Sequence, residues 1–277
     1  MRLLAPAKLN LSLRVIGLRR DGFHEIRSIV QPIDLVDVLS VNQVEGRMEV
    51  INDNPAIRPA QDLAREAAVR MLEAKHRRNG VRIRIEKHIP IGAGLGGGSS
   101  DAAAVLKAID RLIPPCFSSE RLGELAARIG SDVPLFLSGG AVLATGRGEQ
   151  ITPYPTQRKC FLLVVPPVHC STPAVYERFD RIGRGDASDG HFGQNDLERA
   201  ALDLYPELVH YRAAVEALNS EFFGMSGSGA TYFAAFPHTA AAAEARDRLA
   251  GLLPDSGLYL CSANAAGCEE GERCRLP

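Results

Sequence analysis

The stretch IPIGAGLGGGSSDAAA, residues 89–104, constrains this chain more than any other. It joins a strand-like run to a helix-like run. Before it, VRIRIEKHI (81–89) alternates Val81, Ile83 and Ile85 with charged residues. After it, Ala102, Leu106, Ile109 and Ile113 share one helical face. Three consecutive glycines, Gly96 to Gly98, let the backbone approach an anion with its N–H groups turned inward. Ser99 and Ser100 follow and are expected to cap the helix, at an end that favours negative charge. Their hydroxyls are in reach of a phosphate oxygen. A flexible turn closed by an N-cap is the plainer alternative, but the loop's length and composition favour phosphate binding.

The look-alikes fail on specific residues. Gly92, Gly94 and Gly97 satisfy G-x-G-x-x-G, yet a dinucleotide fold needs an acidic residue about 20 positions on. The nearest, Asp110, falls inside the expected helix. No Gly-Lys pair occurs anywhere, which excludes a Walker A loop. The HRD and DFG of protein kinases are missing as well.

Elsewhere strands and helices mix without regular βαβ alternation, so the expected class is α+β. KLNLSLRVI (8–16) reads as a half-buried strand. Leu9, Leu11, Leu13 and Val15 point one way; Lys8, Asn10, Ser12 and Arg14 point the other. RRDGFHE (19–25) is a turn built on Asp-Gly, and residues 29–41 read as a strand pair. Residues 62–75 are helical, with Leu63, Ala67, Met71 and Ala74 in register. SDVPLF leads through a short helix into a strand. TPYPTQR (152–158) marks a boundary between domains of 1–156 and 157–277. Beyond it, FLLVVPP is a continuous apolar strand and RIGRGDASDGHFG (181–193) is expected to be a mobile loop. Asn195 and Glu198 of NDLE read as a capping box. Helices around 195–203 and 206–219 precede a second small-residue loop, MSGSGA (225–230). A TYFAAF strand, a helix over 238–252 and a strand at LYLCSA end the pattern.

Bulk charge narrows the function classes. Lys and Arg total 32 against 33 Asp and Glu, so nucleic acid and membrane surfaces have no electrostatic case. No apolar run approaches the ~18 residues of a membrane span, and the N-terminus lacks a signal h-region. Six scattered cysteines without CxxC read as free thiols in a reducing cytoplasm.

PIGAGLGGGSSDAA resembles the central motif of the GHMP kinases, the galactokinase–homoserine kinase–mevalonate kinase superfamily. PAKLNLSLRVIGLRRDGFHEI, SDVPLFL, NDLE and MSGSGA follow in the family's order, from residue 5 to about 235. Together they are similar to the branch that phosphorylates a cytidyl-diphosphate sugar alcohol in the non-mevalonate isoprenoid pathway. The resemblance implies two α+β domains, an N-terminal ribosomal-protein-S5-like domain 2 fold and a C-terminal ferredoxin-like sandwich. It implies ATP and Mg²⁺, with the γ-phosphate passing to the substrate's 2-hydroxyl. It also implies a cytoplasmic enzyme, monomeric or weakly dimeric.

On matching positions, Lys8 and Asp132 would be catalytic, Asp132 as base or orienter and Lys8 as its electrostatic partner. Their plainer alternatives are a solvated strand edge and a helix N-cap. Pro90, Gly92, Gly94, Leu95, Gly96, Gly97, Gly98, Ser99, Ser100 and Asp62 would hold the nucleotide. Asp62 departs from the family's Asn; it accepts a hydrogen bond but cannot donate one. Asn10, Phe23, His24, Thr172 and Tyr176 would hold the substrate. Phe23 in place of the family's Tyr keeps a stacking face and loses a hydroxyl. Lys87 and His88 are either neighbours of the nucleotide or an exposed strand face. No residue emerges as a metal ligand, and Cys268 and Cys274 have no assigned role. Competing readings are a GHMP kinase with another alcohol acceptor and a ligand-binding relative without turnover. Intact Lys8 and Asp132 argue against the latter.

Overall fold

The computed structural model describes residues 1–55, 57, 62–77, 80–183, 190–264 and 268–270. Strand β1 (Arg2–Leu18) turns at Asp21-Gly22 into β2 (His24–Val44), and the two pair antiparallel along their length. They are the spine of a seven-stranded sheet. Its other members are β3 (Glu49–Asn52), β4 (Gly80–Glu86), β5 (Val142–Gly146), β6 (Gln150–Pro153) and β11 (Glu269–Glu270). Helices α1 (Leu63–Ala74), α2 (Gly97–Leu112) and α3 (Ser119–Ile129) bury their apolar stripes on it. Leu39, Val41, Ile83 and Ile85 meet Ala67, Met71, Ala103 and Leu106 in that core.

A second sheet runs β10-β7-β9-β8, all antiparallel. Its strands are β7 (Cys160–Val165), β8 (Phe222–Met225), β9 (Tyr232–Phe236) and β10 (Gly257–Ser262). Helices α4 (Thr172–Ile182), α5 (Glu198–Leu204), α6 (Leu208–Glu216) and α7 (Thr239–Ala250) complete this half. Tyr232, Ala234 and Phe236 face a core shared with Val175, Phe179, Ala201, Val215 and Ala245. The alternate residues Phe161, Leu163, Phe233 and Ala235 face the other way. They pack on Ala7, Leu9 and Leu11 of β1 and on Ala93 and Leu95 of the glycine loop. Both faces of this sheet are therefore covered, which is why its central strands read as unbroken apolar runs.

Several expectations change. Residues 29–41 are part of one 21-residue strand, not a pair. Asp34 and Leu35 sit where the register slips between Pro6↔Val36 and Ala7↔Ile33, so a bulge absorbs them, while Pro32 pairs with Lys8. Strand β1 is not half-buried: Lys8, Asn10 and Ser12 are 5%, 8% and 5% exposed, because the polar face is roofed by the second half of the molecule. The two-residue β11 pairs with Leu3 and Leu4, too short to show in any periodicity. Residues 184–189 of the expected mobile loop, and Cys274, lie outside the described residues. Among the described residues no helix is long and apolar enough to cross a membrane.

Candidate active site

The glycine loop is gripped from both halves of the molecule. Lys8 N donates to Leu95 O at 2.9 Å. From the MSGSGA loop, Ser226 Oγ donates to Gly94 O at 3.2 Å and accepts from Asn10 N at 3.2 Å. Thr231 Oγ1 donates to Ala93 O at 2.6 Å. The approach is close enough that a Cβ on Gly94 would lie 2.5 Å from Ser226 O and 2.8 Å from Gly229 O. With φ at +77°, this position requires glycine on both counts.

Gly96, not a serine, caps α2: it is left-handed at φ 71° and offers no side-chain bond. The first intrahelical bond runs from Ser100 N to Gly96 O. The N–H groups of Gly97, Gly98 and Ser99 precede it and are the first-turn donors that a helix leaves without an intrahelical acceptor. Ser100 does not join them. It is fully buried, and its hydroxyl lies 3.7 Å from Cys268 Sγ, where the returning tail covers that side of the helix. Asp62 caps α1, accepting from Ala64 N at 2.9 Å, so its carboxylate is already engaged.

Beside this loop opens a cleft of about 590 Å³. It gathers Lys8, Asn10, Phe23, His24, Gly94, Gly96, Asp132, Thr172 and Tyr176 from five separate segments of chain. Lys8 Nζ donates to Asn10 Oδ1 at 2.5 Å and lies 3.9 Å from Asp132 Oδ2. Burial lowers the Lys8 pKa, and the Asp132 charge pulls partly against that shift. The Asp132 side chain is 45% exposed to the cleft. The short 3₁₀ helix Pro134–Leu137 is capped by Val133, so Asp132 is free of the capping role. At the other end, His24 stacks on Tyr176 at 4.7 Å and holds Asp180 Oδ1 at 2.8 Å through Nε2. Burial, and then the Asp132 charge, raises the Tyr176 phenol. Phe23 is half exposed beneath the Arg147 guanidinium, 4.8 Å from its ring. Thr172 Oγ1 meets Ser228 Oγ at 2.7 Å, and Ser171 rather than Thr172 caps α4. A hollow of about 670 Å³ elsewhere, floored by Arg212 and Phe223, contains none of the loop, Lys8 or Asp132.

The family pattern "GHMP kinases N terminal domain" matches residues 62–140, and "GHMP kinases C terminal" matches 173–255. A Geobacillus kaustophilus protein named 4-diphosphocytidyl-2-C-methyl-D-erythritol kinase is 37% identical over 253 residues, spanning 84% of this chain and 87% of that one. The chain belongs to the 4-diphosphocytidyl-2-C-methyl-D-erythritol kinase family of GHMP kinases. A Bacillus cereus relative of the same name is 38% identical over the same share of this chain. A crystal structure of 4-(cytidine 5'-diphospho)-2C-methyl-D-erythritol kinase superposes with a TM-score of 0.82 at 34% identity, covering 95% of this chain and 99% of that one. Homoserine kinase from Cytophaga hutchinsonii, 17% identical with a TM-score of 0.76 over 97% of this chain and 96% of that one, shares the two-domain fold.

In this GHMP kinase the NDLE segment is not a capping box. Helix α5 starts at Glu198, so Asn195 lies outside it. Asn195 Nδ2 instead donates to Met225 O at 2.8 Å and Gly227 O at 2.7 Å, while its Oδ1 accepts from Leu197 N. It clamps the MSGSGA loop against the glycine loop. Asn195→Ala strips two carbonyls of their donor and is expected to cost about 1–3 kcal/mol, read from the urea midpoint. Lys87 is not on an exposed strand face: its Nζ is buried between Asp37 and Asp101, whereas His88 is exposed. Asp37, Asp101, Ser226, Arg147 and Asp180 were not singled out from sequence. Two of them had a signal: Asp101, within GSSDAA at the start of the helix, and Ser226, within the MSGSGA loop.

Proposed function

We propose that this kinase transfers the γ-phosphate of ATP to the 2-hydroxyl of 4-diphosphocytidyl-2-C-methyl-D-erythritol, releasing ADP, in the non-mevalonate supply of isoprenoid precursors. One observation carries the reading. The Lys8–Asp132 pair stands at 3.9 Å in a cleft with the glycine loop on one side and the His24–Tyr176 stack on the other. The triphosphate rests on residues 92–99, met by the free N–H groups of the first turn of α2. Asp132, open to the cleft, accepts the hydroxyl proton as the oxygen attacks phosphorus. Lys8 neutralises charge on the transferring group, and Asn10 aims its ammonium. Most of the remaining rate comes from holding two substrates in line.

Phe23 and Tyr176 supply faces for the cytosine, and His24 is oriented by Asp180 to read its edge. Phe23→Ala removes a stacking partner worth about 1–3 kcal/mol per base. We expect the KM for the cytidyl substrate to rise about tenfold while the KM for ATP holds, measured by steady-state kinetics.

Among the described residues no three His, Cys, Asp or Glu side chains cluster as a metal cage. We propose that Mg²⁺ enters with the triphosphate. We further propose a domain boundary at 156/157, in the segment between β6 and β7, and a cytoplasmic enzyme that works as a monomer or weak dimer. The test is ATP-dependent phosphorylation of the cytidyl substrate followed by phosphorus NMR, with homoserine and mevalonate as alternative acceptors. Transfer to either of those in preference to the cytidyl substrate, or no transfer by folded protein, would sink the assignment.

A further inference from the structure

We propose that Asp101 is a proton-carrying positioning residue of the nucleotide site: its carboxyl is neutral when ATP is seated, and its ionisation weakens ATP binding. The proposal rests on the kinase reading, which places the triphosphate at the N-terminus of α2.

Lys87 leads from β4 into the glycine loop. Its ammonium pairs with Asp37 of β2 and, at 2.7 Å, with Asp101 of α2. The three side chains are only 4%, 0% and 4% exposed. One ammonium cannot balance two buried carboxylates; with both ionised, a net negative charge would be sealed in the core. The hydrogen bonds decide which carboxylate is charged. Asp37 Oδ1 accepts from His88 N at 2.6 Å and Ile89 N at 2.9 Å, in addition to its contact with Lys87. Asp101 has Lys87 alone, and its Oδ1 is buried with no hydrogen-bond partner. Three donors hold Asp37 as the anion, and Asp101 is left to carry the proton.

The charged and titratable groups facing Asp101 are Lys87, Asp37 of β2, Asp62 at the start of α1, and Cys268 of the returning tail. Burial is the largest influence and pushes the Asp101 carboxyl up to about 8; Lys87 opposes it, while Asp37 and Asp62 add to it. Burial also works to lower Lys87, but Asp101 and Asp37 outweigh it and the ammonium's pKa rises. Burial raises Cys268 to about 11, so it stays a neutral thiol.

Position makes this consequential. Asp101 lies four residues past Gly97, about 6 Å along the helix. Lys87 Nζ would be 3.3 Å from a Cβ on Gly97, directly against the first turn. A neutral Asp101 leaves the helix end its full attraction for phosphate; an ionised one opposes it. Because the protonated form binds ATP better, affinity is flat below the Asp101 pKa and falls as pH rises through it. Bound triphosphate, in turn, draws a proton onto Asp101.

Binding of MgATP, without acceptor, is to be measured by calorimetry from pH 6.5 to 9. The wild type should weaken about tenfold between pH 7 and 9. At pH 8.5, buffers of different ionisation enthalpy should reveal proton uptake. The nucleotide's phosphates, ionising near ~6, do not contribute there. Asp101→Asn, isosteric and neutral, should keep the pH 7 affinity throughout and take up no proton. A wild-type Kd that is independent of pH, absence of uptake at pH 8.5, or the same pH profile in Asp101→Asn would each overturn the proposal. The uptake measurement needs no variant. Absence of ATP binding at every pH is a separate result that fails the kinase reading and this proposal with it.

Discussion

Asp132→Asn is expected to lower turnover by about 10²- to 10⁴-fold, the range a positioned proton acceptor contributes. The side chain is 45% exposed and caps no helix, so little stability depends on its charge. The fold should survive, and the KM values for both substrates should change little, since the lost interaction is made as the hydroxyl attacks. The measurement is kcat under saturating substrates, with circular dichroism to show a folded variant. Turnover within a few-fold of wild type would remove Asp132 from the proposed mechanism.

Lys8→Met is the second large effect, with a loss in kcat of about 10²- to 10³-fold, comparable to deleting a preorganised donor at the site of charge development. Here stability and activity should part. Lys8 is 5% exposed, so Met removes a buried charge, and the Asp132 carboxylate left behind is 45% exposed and stays hydrated rather than stranded in the core. Asn10 loses its partner, which limits any gain. We expect a melting temperature within about 4 °C of wild type beside a collapsed kcat. The wild-type pH profile supplies an independent check. Burial lowers the Lys8 pKa from its ordinary 10.5, and the charged form is the one required. At saturating ATP, kcat should therefore fall as pH rises through a value below the usual lysine range. The Asp101 effect appears instead in the affinity for ATP, so the two titrations separate kinetically.

The chemistry-bearing residues were legible because each sits in a short stretch whose local pattern survives folding. A backbone period of two puts Lys8 and Asn10 on the same face of β1. Glycine at 94 is demanded by its own torsion as well as by its neighbours, so the loop announces itself in one dimension. Burial was not legible in the same way. An alternating strand shows which face is polar, but a polar face lining a cleft has the same spacing as one facing water. Lys8 looked like a solvated edge for that reason. Asn195 looked like a cap because four residues of NDLE satisfy a local rule, while the carbonyls it holds are 30 and 32 positions away.

The amino-acid order by itself determined the glycine loop, the helix that follows it, the two-part α+β arrangement and the family. The first three depend on torsional preference and on apolar periods that neighbouring residues set between them; the family rests on the resemblance of its motifs and their order. Tertiary structure alone decided which charges meet. Asp37, Lys87 and Asp101 come from a strand, a loop and a helix, and no spacing among them predicts a buried triad. Hydrogen bonds and buried charges act over a few ångströms of space, in a low dielectric that exists only once the chain has packed. Which carboxylate carries a proton, and which serine turns from the cleft toward a cysteine 168 residues away, follows from that packing.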